Sequence, residues 1–134
     1  MRTNYNLDFE AARLAREIIN QTKKDDVKTV ENLATKTLGI LEENGVYACI
    51  LFLFSRSNTK EKAVIEVIRN RLFDWNNLIF PEDKSNGIDL NKANTALDFV
   101  ANNICNNLDT LNLVKKMWEQ TLIYARYGAK AREE

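Results

Sequence analysis

The chain has 134 residues, with 19 Lys and Arg balancing 19 Asp and Glu for a formal net charge of zero. That length suits one domain with a core of its own, and the balanced charge supplies no global field toward a membrane or a nucleic acid. There is no histidine, which removes Ser-His-Asp and Cys-His catalysis and His-based zinc sites.

The predicted elements are helical throughout. A first helix is expected over about residues 8–23, with Leu7, Ala11, Leu14, Ala15, Ile18 and Ile19 on one face. Asp8 and Glu10 fall in its first turn and Lys23 and Lys24 in its last, as the helix dipole prefers. A second follows over about 26–44, with Asp26 as N-cap and a stripe of Val27, Val30, Ala34, Thr37, Leu38 and Leu41. Asn44-Gly45 stops it. The stretch from Val46 to Phe54 is apolar at every position. It is too short to cross a bilayer, which takes about 20 apolar residues, and it does not alternate as a half-exposed strand would. A short helix apolar all round belongs at the centre of a bundle, so Leu51 and Phe52 are expected in the core.

A fourth helix is expected over about 58–75, burying Ala63, Val64, Val67, Ile68, Leu72 and Trp75. Ile65 and Phe73 either widen that face or mark a contact for another protein. This segment is locally basic through Arg56, Lys60, Lys62, Arg69 and Arg71. Residues 76–89 carry the only proline, Pro81, the turn pair Asn86-Gly87 and the acids Glu82, Asp83 and Asp89, and read as a loop. A fifth helix over about 91–106 has a stripe of Ala93, Ala96, Leu97, Val100, Ala101, Ile104 and Cys105, with Asn94, Asn102, Asn103 and Asn106 opposite. A sixth over about 109–130 buries Leu111, Val114, Trp118, Leu122, Ala125 and Ala129 and ends in mixed aromatic and basic residues. The fold class is therefore all-α: one domain over 1–134, a compact bundle of five to six helices around the short apolar one.

Catalytic constellations are missing. The four glycines, at 39, 45, 87 and 128, form no phosphate loop. Asp25-Asp26 and Glu42-Glu43 are adjacent pairs whose side chains diverge on a helix, and Glu82-Asp83 sits in the loop. Cys49 and Cys105 read as small buried hydrophobes in a reducing compartment. No apolar signal region follows Met1 and there is no membrane span, so the expected location is the cytoplasm. The basic residues carry the functional signal. Lys62 and Arg69 share a helix face, as do Arg126 and Lys130, with Tyr127 beside them. Basic plus aromatic suits phosphate contact with some base stacking; the alternative is a solvated face.

The chain resembles the small helical subunit of the Cmr-type (type III-B) CRISPR effector complex. The matching residues are Ala12-x-x-Ala15-x-x-x-Ile19 running to Lys23-Lys24, then Leu41-x-x-Asn44-Gly45-Val46-x-Ala48-x-x-x-Phe52-x-x-Ser55, then Leu72-x-x-Trp75. The closing match is Trp118-x-x-x-Leu122-x-x-Ala125-Arg126-Tyr127-x-Ala129-x-Ala131-Arg132. Together they cover most of the chain outside 76–90. The family's usual Lys after the core helix is here Arg56. The resemblance implies a subunit with no nuclease activity, no cofactor, no metal and no small-molecule substrate. It would stack with copies of itself beside the backbone subunits that hold the guide RNA, its basic face lining the groove for target RNA. The candidate RNA contacts are Arg56, Lys60, Lys62, Arg69, Arg126, Lys130 and Arg132. The small subunit of the Csm-type (type III-A) complex is a close alternative. So is a helical adaptor binding only protein through Ile65, Phe73 and the Asn-rich face, and, from another class, an enzyme using carboxylates and a divalent ion.

Overall fold

The computed structural model describes residues 6–56, 59–80 and 89–132, with the side chains of Thr59 and Lys60 left outside that description. Among the described residues there is no strand, and six helices form a compact bundle, joined by one single-turn helix. They are α1 (Leu7–Asn20), α2 (Val27–Asn44), α3 (Val46–Ser55), α4 (Thr59–Phe73), the single turn α5 (Asn76–Ile79), α6 (Ala93–Val100) and α7 (Leu108–Arg132). The fold is all-α, as expected from the 3.6-residue period. Residues 81–88 of the expected loop, and residue 58 at the expected start of the fourth helix, lie outside the described residues.

Local chemistry sets most helix ends. The Asn6 side chain accepts a hydrogen bond from the Phe9 amide at 3.1 Å and caps α1. α1 stops at Asn20, short of the expected Lys23 and Lys24, and Lys23 is extended (φ −62°, ψ 147°). The Thr22 hydroxyl donates to the Ile18 carbonyl at 2.6 Å, which satisfies one of the carbonyls left open at that end. Asp26 precedes α2 but its side chain makes no capping bond, because Lys24–Asp26 already form a 3-10 turn. Between α2 and α3 a single residue, Gly45, takes φ 96° and ψ −175°. Only glycine enters that region without strain. Its amide closes α2 on the Leu41 carbonyl at 3.0 Å and its carbonyl opens α3 to the Cys49 amide, also at 3.0 Å. Asn107 caps α7 by accepting from the Thr110 amide at 3.0 Å.

The arrangement departs from the expectation of a central α3. α7 is the axis of the bundle, lying along both α1 and α2. Asp8–Tyr124, Ile19–Gly128 and Asn20–Arg132 meet in the same order along α1 and α7, so these two helices run in the same direction. α3 sits at the side, against α2 and α6. It buries Val46, Cys49, Ile50 and Leu53, but Leu51 is 50% exposed, Tyr47 is 42% exposed and Phe52 is only partly covered. The reason is one of partners. A helix can be buried all round only if others surround it, and the neighbours of α3 cover one side of it.

The other stripes are close to expectation, with informative shifts. α2 adds Leu33 and α7 adds Met117 and Thr121 to the buried set. On α4 Ala63 is exposed, and the buried arc is instead widened by Ile65 and Phe73. Phe73 meets Trp118 edge-to-face at 6.1 Å. This places both residues in the core, so they do not form the outward protein-binding face of the adaptor alternative. α6 continues into a π-helical turn over Ala101–Cys105, and Phe99, just before that turn, is buried edge-to-face against Phe80 at 6.1 Å. The Asn103 side chain donates to the Phe99 carbonyl at 3.2 Å there. At the centre, the Trp75 indole donates to the Thr121 hydroxyl at 3.0 Å, which donates to the Met117 carbonyl at 2.8 Å. That relay lets a fully buried tryptophan and threonine sit in an otherwise apolar core.

Candidate nucleic-acid interface

The C-terminal half of α7 turns Leu122, Ala125 and Ala129 inward. The same period places Arg126 and Lys130, spaced i, i+4, on one flank, with Tyr127 next to them and 59% exposed. That flank meets the outer face of α2, where Asn32, Thr35 and Lys36 share a strip by the same spacing. The first turn of α4 closes the end through Glu61. Together they form an open groove of about 430 Å³, lined also by Glu31.

Ion pairs decide its charge. Glu61 accepts from Arg56 at 2.8 Å, and Glu31 is 3.3 Å from Lys28. Both carboxylates of the groove are thus held by cations that do not line it. Lys36, Arg126 and Lys130 do line it and have no ion-pair partner among the described residues. The Arg126 guanidinium lies 5.3 Å from the centre of the Tyr127 ring. The groove therefore presents three cations with no ion pair among the described residues, beside an exposed aromatic ring, on a chain of zero net charge.

The predicted residues divide over three places. Arg126 and Lys130 share this groove, and Arg56 reaches its rim through Glu61. Arg56, Lys62 and Arg69 line a separate cavity beside α3 and α4. Lys62 and Arg69 do share one side, as their spacing predicts, but at different depths: Lys62 is exposed while Arg69 is 6% exposed. Arg69 is consequently no surface charge, and reversing it would disturb the fold. Arg132 lies elsewhere, donating to the Asn20 side chain at 2.6 Å and lining a space with Thr22 and Lys24. The side chain of Lys60 is outside the described residues. Lys36 belongs to none of the basic clusters that the sequence shows. Its place opposite Arg126 depends on which helix lies beside α7, and no local signal carries that.

Chemistry of the catalytic kind has little material among the described residues. No group of three or more Cys, Asp or Glu side chains there is placed to hold a metal ion. Cys49 is buried among apolar groups, which pushes its thiol up to about 12 and keeps it protonated and unreactive. Burial also raises Asp74, and Arg71, whose Nε lies 2.9 Å away, opposes that shift. Asp74 belongs to a chain of ion pairs with Arg71, Glu17 and Arg13 that ties the end of α4 to α1. No described helix is long and apolar enough to cross a membrane. Comparison of the chain with protein-family models, with curated proteins and with solved structures finds no match.

Proposed function

We propose that the chain is a non-catalytic, RNA-contacting helical subunit, of the small-subunit kind found in Cmr-type CRISPR effector complexes. The observation that carries this is the groove between α2 and α7, where Lys36, Arg126 and Lys130 stand beside Tyr127 with no ion pair among the described residues. Cations at this spacing neutralise successive phosphates of a strand without reading its sequence, and an exposed ring accepts any base face. The absence of histidine fits a subunit that binds rather than cleaves. The link to CRISPR complexes, to their backbone subunits and to further copies of the chain rests on the motif resemblance of the core helices and the closing Arg126-Tyr127 run.

Titration of labelled single-stranded RNA at several salt concentrations tests the groove. Wild-type protein is expected to bind with a steep salt dependence. Charge reversal of Lys36, Arg126 and Lys130 together should weaken binding for unrelated sequences alike and flatten the salt slope by about 2, at ~0.7 per phosphate contact on a single strand. Superimposable curves would end the RNA reading. Co-expression with type III-B backbone subunits and a guide tests the assignment to that complex separately. Failure to co-purify would remove it even if RNA binding stands.

A further inference from the structure

The cavity beside α3 and α4 is unlike the groove because it contains a buried charge. It measures about 340 Å³, and its lining includes Phe54, Arg56, Lys62, Glu66, Arg69 and Asn91. Arg69 is 6% exposed, and its guanidinium stacks 4.2 Å from the centre of the Phe54 ring. Its Nη2 reaches Asn91 Oδ1 only at 3.5 Å, the outer limit of a hydrogen bond, and its buried Nε has no partner. Among the described residues no carboxylate lies within ion-pair distance of it. Burial lowers its pKa, and the more distant Glu66 only partly opposes this. A guanidinium removed from water without a counter-ion is costly.

The geometry supplies what an anion needs. Stacking on Phe54 occupies one face of the guanidinium and its Nε is shut off from solvent, which leaves the Nη1–Nη2 edge, where a planar fork takes two oxygens of one oxyanion. Lys62, two turns earlier on α4, lines the same cavity, is exposed, and has no ion pair among the described residues. Arg56 lines it too, although its Nη2 is already held by Glu61 at 2.8 Å. Among the described residues Glu66 is the one carboxylate in the lining, and it works against an anion.

We propose that this cavity binds a single phosphoryl oxyanion, held by the Nη1–Nη2 edge of Arg69 and by the ammonium of Lys62. The site is separate from the α2–α7 groove and stands whether or not that groove takes RNA. Two sources share this chemistry, a free phosphate or phosphomonoester and a phosphodiester within a strand.

The direct probe is the Nε–Hε resonance of Arg69 in the intact protein, assigned with the charge-conserving Arg69→Lys variant. Inorganic phosphate is titrated at constant ionic strength against sodium chloride, and in parallel an oligoribonucleotide lacking terminal phosphates. The resonance is expected to shift and saturate. Lys62→Ala should weaken the apparent affinity about three- to tenfold, the range for one charge-assisted contact. Glu66→Gln should tighten it, which a merely structural Glu66 would not do. Lys36→Ala and Lys130→Ala, in the groove, should leave it unchanged. A shift with inorganic phosphate assigns the free ligand, and a shift with the oligoribonucleotide alone assigns a strand phosphate. An equal response to chloride, no response to either phosphate source, or an affinity indifferent to Lys62→Ala would overturn the proposal.

Discussion

α3 and α7 reverse the roles their compositions suggest. α3 is apolar from Val46 to Phe54, yet Tyr47 and Leu51 face out. α7 carries Lys115, Lys116, Glu119, Arg126 and Lys130, yet it buries Val114, Met117, Trp118, Thr121, Leu122, Ala125 and Ala129 along its length. Two physical differences account for this. α7 has 25 residues and α3 has 10, so at 1.5 Å per residue only α7 is long enough to lie along two other helices at once. Its inward residues are also small where α1 approaches: a Cβ placed on Gly128 would sit 2.5 Å from Ile19 Cδ1. Burial follows from the number and length of a helix's neighbours, and mean hydropathy is a poor guide to it.

The largest expected effect tests that contrast directly. Leu33→Ala, at a fully buried α2 position, should lower stability by about 2–5 kcal/mol. Leu51→Ala, on the exposed side of α3, should change it by about 0.5 kcal/mol. Denaturant midpoints at equal slope measure both. Comparable losses would mean that α3 is covered in solution.

Next in size is the buried relay. Thr121→Val keeps the shape and removes the hydroxyl that accepts from the Trp75 indole. A loss of about 1–3 kcal/mol in thermal or chemical melts is expected for a stranded buried donor. A neutral result would show that the indole finds another partner.

The glycines sharpen the comparison further. A Cβ on Gly39 meets nothing within 4 Å, so Gly39→Ala in α2 should stabilise by about 0.5–1 kcal/mol. Gly128→Ala should lack that gain because of Ile19, and Ile19→Val, which deletes the obstructing carbon, should restore part of it. A double-mutant cycle gives the coupling. Additive changes would mean that α1 and α7 are less closely packed.

The smallest effect at neutral pH concerns Cys49. Its thiol is pushed from 9.0 up to about 12 by burial, so below about pH 9 it is neutral in both folded and unfolded chains. Between the two values only the unfolded thiol ionises, and stability falls as pH rises. Cys49→Ala should lose that part of the alkaline decline. Cys105, partly exposed and shifted up less, should react first with a thiol reagent. Equal rates would place Cys49 at the surface.

Much of the fold could be read in advance. The stripes of α1 and α2, the buried Trp75 and Trp118 and the turn at Gly45 follow from periodicity and local chemistry, which act within a few residues. The candidate interface was half legible. Arg126, Lys130 and Tyr127 announce themselves by spacing on one helix, whereas Lys36 joins them only because α2 lies against that flank. Arg69 reads as a surface charge in the sequence and is buried in the fold for the same kind of reason. Its place on α4 was predictable, but its burial under Phe54 depends on where α3 packs.

The amino-acid sequence by itself determined that the chain is helical, where most helices start and stop, and which face of each long helix is apolar. These depend on backbone hydrogen bonding, caps and a 3.6-residue repeat, all of short range. Only the tertiary structure decided that α7 and not α3 is the axis, that Ile65 and Phe73 turn inward, and that the cations of α2 and α7 share a groove while Arg69 sits apart in a cavity. Those outcomes depend on which helices become neighbours, a choice made by packing the whole set of faces at once.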